Sequence, residues 1–243
     1  MFIYDGSFEG LLTAVFEAYR LRDFADITPA ENYQKGLFEE ARRVVSAADK
    51  AARVSARLLA LSGDVLRVVQ YCFLAGLADK EKIIFAYIRR TLSAGRSLNG
   101  NYADPVVAAA LACLKKVARE AERLKGLLRF QELRDGSFYA AIEPEHCILP
   151  LLAGHCRARF SGQGWLIHDA RRGIALVYQD GDLQLFDNSA VHNARDKHAA
   201  HELAYQELWK IFHQNIAIAG RKNPKLQKQF MPVRYWKYLT EKN

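Results

Sequence analysis

At 243 residues, half of them apolar, the chain is long enough to bury a sizeable core, and wholesale disorder is excluded. Its 35 basic and 27 acidic side chains leave a net charge of +8, which leads us to expect an anionic partner. No window approaches the roughly 18 to 20 uninterrupted apolar residues of a membrane span, so no membrane contact is expected.

The charge is unevenly placed. Residues 1–40 carry 3 basic and 8 acidic groups, residues 41–100 carry 11 and 4, and residues 221–243 carry 7 and 1. Two basic zones are therefore separated by near-neutral sequence. The start, Met1-Phe2-Ile3-Tyr4-Asp5, has no basic leader and Asp5 interrupts its apolar run, so no signal peptide is expected. Cys72, Cys113, Cys147 and Cys156 are widely spread, with no C-x-x-C pair. That usage fits buried thiols in a reducing compartment, and a cytoplasmic location follows as an expectation.

Phe2-Ile3-Tyr4 reads as a short strand, with Asp5-Gly6-Ser7 turning into a helix that carries Leu11, Leu12, Val15, Phe16 and Tyr19 at helical spacing. Weak strand signals follow at residues 25–28 and 43–45. From Asp49 to Leu92, Val54, Leu58, Leu61, Val65, Val68, Val69, Phe73 and Leu77 recur at three or four, and Gly63 and Gly76 divide the stretch into two or three helices. Arg53 and Arg57 lie four apart beside Lys50 and read as a solvated face. A polar loop at 95–102 leads to Asp104-Pro105, a capping Asp with Pro at the first turn, and a helix that Gly126 ends.

The texture then changes. Residues 127–133 and 137–142 predict strands around Arg134-Asp135-Gly136, a hairpin signal. A helix over 148–160 and strands at 165–169, 174–178 and 183–186 follow. Residues 199–219 predict a helix with Leu203, Leu208, Trp209, Phe212 and Ile216 inward. The expected class is α+β: a mainly helical N-terminal half (1–100), then an antiparallel sheet of about five strands packed with helices and ending in a basic tail (101–243).

Few constellations carry chemistry. His146-Cys147 and His155-Cys156 offer zinc ligand types. Nine residues of helix rotate by about 900°, however, which puts the two pairs on opposite faces, so neither a metal nor any other cofactor is expected. His198, His201 and Glu202 do not form His-Glu-x-x-His and read as exposed helix residues. His168-Asp169 with Arg171-Arg172 is the densest titratable cluster. Adjacent strand residues face opposite ways, so Asp169 is expected to close its turn by pairing with Arg172. Asp5-Gly6-Ser7 could hold a phosphate on free N–H groups, but Ser7 as a helix cap is the plainer reading. No P-loop, dinucleotide fingerprint or nucleophile elbow occurs.

The tail says more. Residues 221–243 interleave seven cations with rings and apolar side chains. Such a surface can meet phosphates with cations and bases with rings. Pro224 and Pro232 mark breaks, and a short helix is predicted over 232–241 with Tyr235, Trp236 and Leu239 inward. The candidate nucleic-acid residues are Arg221, Lys222, Lys225, Lys228, Arg234, Tyr235, Trp236 and Lys237.

Three stretches also carry a resemblance. They are the opening run from Tyr4 to Tyr19, a central set (Leu151-Leu152, His155, Arg159-Phe160, Trp165, Ile167, Asp169, Arg172), and a closing set. The closing set is Leu208-Trp209-Lys210, Ile216-Ala217-Ile218, Arg221-Lys222-Asn223-Pro224, Gln227, Met231-Pro232, Arg234-Tyr235-Trp236, Leu239 and Glu241. Together they resemble an uncharacterised bacterial family labelled as probable DNA metabolism proteins. The resemblance implies a gene neighbour of the radical-SAM DNA modification or repair type, and some relatives are fused to a uracil-DNA glycosylase-like domain. It implies the accessory partner of such a system, because the three-cysteine radical-SAM motif is missing from this sequence. It supplies no catalytic residue.

Three functions are therefore expected to compete. One is a DNA-binding accessory protein working through the tail. The second is an enzyme on nucleic acid or nucleotide, its site drawn from Asp5, His155, Arg159, Trp165, Asp169 and Arg172. The third is a protein-interaction module without DNA contact.

Overall fold

The computed structural model describes residues 1–34, 40–187 and 198–243, and the chain divides into two compact units, Met1–Ala118 and Arg119–Asn243. Among the described residues no helix is long and apolar enough to cross a membrane.

The first unit opens with β1 (Phe2–Tyr4), α1 (Phe8–Leu21), β2 (Ile27–Pro29) and β3 (Arg42–Arg43). The two weak strand signals correspond to β2 and β3, which flank β1 and pair with it in parallel. Ser7 caps α1 through its hydroxyl, which accepts the Gly10 N–H at 2.9 Å. The Asp5 carboxylate accepts the Ser7 N–H and the hydroxyls of Ser7 and Ser46, tying the β1–α1 junction to the approach of the next helix. Gly10 leaves room for that junction: a Cβ on it would meet the Asp5 carboxylate and lie 2.8 Å from the Ser46 hydroxyl, so these side chains would have to shift.

Three helices follow, α2 (Ala48–Leu61), α3 (Gly63–Phe73) and α4 (Lys80–Ala94), divided near the two glycines as the spacing predicts. Leu58, Val65, Val68 and Val69 of the expected stripe are fully buried, together with Leu11, Leu12 and Val15 of α1. α5 (Pro105–Leu127) starts where the Asp-Pro signal puts it, the Asp104 carboxylate accepting the N–H groups of Val106 and Val107. Cys72, Cys113 and Cys156 are buried thiols.

The second unit holds β4 (Gln131–Glu132), β5 (Phe138–Ile142), α6 (Leu149–Arg159), β6 (Trp165–Asp169), β7 (Ile174–Gln179) and β8 (Asp182–Asp187) in one sheet of order β4-β5-β6-β7-β8. The β4–β5, β6–β7 and β7–β8 pairs are antiparallel hairpins. The β5–β6 pair is parallel, so the sheet is mixed rather than antiparallel throughout. The reason is the intervening α6: a strand–helix–strand crossover returns its second strand beside the first in the same direction.

α7 (Glu202–Asn215) and α8 (Pro224–Phe230) follow, and 3-10 turns at Val233–Tyr238 and Thr240–Lys242 close the chain. α7 corrects the second expectation. Leu203, Leu208, Phe212 and Ile216 are exposed, Leu203 by 73%. The helix is held at its start, where buried Glu202 accepts the Glu132 N–H at 2.9 Å, and at Trp209, whose indole N–H donates to Glu241. Helical spacing identifies an apolar face but does not say what covers it.

Candidate nucleic-acid interface

The tail residues divide by what neutralises them. α8 begins on Asn223, whose side chain accepts the Leu226 N–H, with Pro224 in the first turn. This short helix and the turn before it display Arg221, Lys222, Lys225 and Lys228 to solvent. None of the four has a carboxylate partner among the described residues. Arg221 and Lys222 also line a cleft of about 840 Å³ whose apolar wall is formed by Ile216, Ile218, Leu226 and Phe230. No Asp or Glu lines it among the described residues. Sequence reasoning missed this apolar wall, although its signal was present: two apolar residues just before Arg221 and two more among the cations after Pro224.

The other four candidates anchor the tail. Arg234 donates from Nη1 to Glu145 Oε2 at 3.0 Å and from Nη2 to Glu120 Oε1 at 3.1 Å. Tyr235 is buried and donates its hydroxyl to Glu120 Oε1 at 2.5 Å; burial, then that bond, pushes its pKa up to about 12. Trp236 is half-buried and donates Nε1–H to the Met231 carbonyl at 2.9 Å. Lys237 pairs with Glu143. Tyr235 and Leu239 turn inward as expected, while the charges beside them meet carboxylates of their own unit.

Glu241 is the tail's single acid and serves the same anchoring. Its carboxylate accepts two bonds from the Arg129 guanidinium, at 2.6 and 3.0 Å, and one from the Trp209 indole at 3.0 Å. Burial alone would raise its pKa, but these donors outweigh burial and bring it down to about 2. An unfolded glutamate titrates near about 4.3, so the folded state releases this proton more readily. The resulting stability is present in full above about pH 5 and is lost as pH falls from about 4 toward 2. Glu241→Gln is therefore expected to cost about 2 kcal/mol at pH 7, after allowance for solvent screening at half-exposed Trp209, and close to nothing at pH 2. Urea unfolding of both proteins across that range checks it; a difference that does not shrink with falling pH would contradict it.

The first basic zone is partly consumed within its own unit. Lys50 and Arg20 pair with buried Glu17, Arg67 with Asp64, Lys82 with Asp26 and Arg90 with Asp104. Arg53 lies over the Phe16 ring and Arg89 over Phe24.

The candidate catalytic residues occupy separate environments. Asp5 belongs to the first unit and is engaged by Ser7 and Ser46. In the second unit, fully buried Asp169 takes the N–H groups of Arg171 and Arg172 on Oδ1 and the Arg172 guanidinium on Oδ2 at 2.8 Å. Arg172 also donates to the Pro144 and Glu145 carbonyls, so the pair closes its turn as the sequence suggests and clamps the approach to α6. His155 is half-buried on α6, and Arg159 is exposed beside the Phe160 ring. No hydrogen bond or ion pair joins either to Asp169 or Arg172 among the described residues. Trp165 is buried and stacks on Tyr178 at 5.3 Å. Among the described residues no group of three or more His, Cys, Asp or Glu is placed to hold a metal ion.

A second, polar cleft of about 380 Å³ lies among Arg129, Tyr139, His198, Lys210, Lys237 and Tyr238. Its three cations are matched by Glu241, Glu207 and Glu143, so it presents little net charge.

A family model described as a domain of unknown function, DUF4130, matches residues 78–241, about two-thirds of the chain, and the chain belongs to that family. No curated protein and no solved structure matches it.

Proposed function

We propose that this chain is a DNA-binding accessory protein of a repair or modification system. The observation that carries the reading is the set of four exposed cations, Arg221, Lys222, Lys225 and Lys228, which have no carboxylate partner among the described residues; two of them, Arg221 and Lys222, line a cleft that no acid lines among the described residues. Uncompensated cations repel one another and favour a polyanion, whose condensed counterions are released on binding. The resemblance of the closing motif to the probable DNA metabolism proteins supports the same partner class. It also makes a radical-SAM DNA repair or modification protein the natural enzyme partner, with a uracil-DNA glycosylase-like protein as a further one. The enzyme reading has less support, because Asp169 and Arg172 spend their hydrogen-bonding capacity on each other and on backbone.

Fluorescence anisotropy of the full chain with labelled DNA over a salt series tests this. Four neutralised phosphates predict a slope of log affinity against log salt near about −3 for a single strand and about −4 for a duplex. Arg221→Ala/Lys222→Ala/Lys225→Ala/Lys228→Ala should flatten that slope toward zero with an unchanged melting temperature. Arg234→Gln should do the reverse, lowering the melting temperature while sparing the slope, because its guanidinium is tied to Glu120 and Glu145. A folded protein that binds no DNA, or whose quadruple variant binds as before, would overturn the reading.

A further inference from the structure

We infer that the cleft between α7 and α8 takes unpaired bases, so that the nucleic acid held by this tail is single-stranded. The inference rests on the nucleic-acid reading above and goes on to name the form of the ligand.

The cleft combines two chemistries that a duplex cannot satisfy together. Its cations are Arg221, Lys222 and Lys242. Its wall is apolar and open: Phe230 is 65% exposed, and Ile216, Ile218 and Leu226 are each about half-exposed. A duplex offers phosphates to cations but keeps its base faces stacked inside, so the apolar wall would stay wet beside it. A single strand offers phosphates and free base faces on the same few nucleotides. Such strands are held by a positive groove that tracks the backbone together with rings that stack on bases. The Phe230 ring supplies an aromatic platform, and Arg221 adds a planar cation able to stack as well as pair with phosphate. At about 840 Å³ the space is large enough for ligand groups of that size, and among the described residues no acid lines it to repel a phosphate. Complementary charge favours this occupant over any neutral apolar segment.

The test uses the full chain, a labelled mixed-sequence single strand, and a duplex of the same length and sequence, compared at each point of one salt series. The single strand should bind about tenfold tighter or more. Phe230→Ala should weaken single-strand binding about fivefold or more, leaving the salt slope and the duplex affinity unchanged. Ile218→Ala, at a second exposed position on the same wall, should act in the same direction, so the result does not depend on one variant folding. The quadruple cation variant should weaken both ligands. Equal affinity for the two ligands, or a Phe230→Ala effect shared by both, would overturn the cleft as a base site while leaving DNA binding intact. Binding of neither ligand would instead remove the nucleic-acid reading beneath it. Saturable binding of an acidic amphipathic peptide that no single strand displaces would overturn the inference in favour of a protein partner.

Discussion

Glu120→Ala should lower the unfolding free energy by about 3–5 kcal/mol, measured by urea denaturation at neutral pH. Glu120 sits on α5 and is 2% exposed. Its carboxylate accepts the N–H groups of Glu145 at 2.9 Å and His146 at 2.7 Å, the Tyr235 hydroxyl at 2.5 Å and the Arg234 guanidinium at 3.1 Å. Three segments therefore meet on one side chain: α5, the approach to α6, and the terminal 3-10 turn. Alanine removes the acceptor but not the donors. The His146 N–H and the Tyr235 hydroxyl are buried, and each loses a charge-assisted bond that water cannot easily replace. Arg234 retains Glu145, which limits the loss on that side. Glu120→Gln should cost less, roughly half, since one oxygen remains while the new amide turns donors toward donors. Amide exchange in residues 231–243 should quicken in both variants. A loss below about 1 kcal/mol for the alanine variant would mean that Glu120 does not hold the tail, leaving that role to the Glu143, Glu145 and Glu241 pairs and to apolar contacts.

What could be read from the chain, and what could not, follows from the same contacts. Local signals were enough for the helix start at Asp104-Pro105, the Ser7 cap, the division at Gly63 and the hairpin around Gly136, whose φ of +79° suits glycine. Each of these is decided within a few residues. The parallel β5–β6 pairing was implicit in the strand–helix–strand order and was missed by assuming one sheet type throughout. The exposure of α7 was not legible, because an apolar stripe looks the same whether it is covered or bare. Still less legible was the division of the tail. Arg234 finds Glu120 and Glu145 at separations of 114 and 89 residues, and Lys237 reaches Glu143 across a separation between those two. Seven cations in sequence look equivalent, and only folding sorts the anchors from those left to meet an outside anion.

Asp169→Ala should be nearly as damaging, at about 3–5 kcal/mol, and it bears on function as well as stability. The carboxylate is fully buried at the end of β6, with both oxygens occupied: Oδ1 by two backbone N–H groups of the turn, Oδ2 by Arg172. Removing it leaves the guanidinium, 23% exposed, with two carbonyls but no counter-charge. Asp169→Asn should fall between, because an amide oxygen can still serve the turn while the ion pair is lost. Arg172→Lys should also destabilise, since one ammonium cannot span Asp169, Pro144 and Glu145 as the planar fork does. A catalytic acid or base has to present a free lone pair or proton to its substrate, and this carboxylate is committed to its own turn. The graded series Ala, Asn, wild type in thermal and urea unfolding is the signature of that role. If Asp169→Ala unfolds at the wild-type urea concentration, the turn does not need the carboxylate, and an acid–base part for Asp169 with His155 and Arg159 regains its place as the reading to pursue.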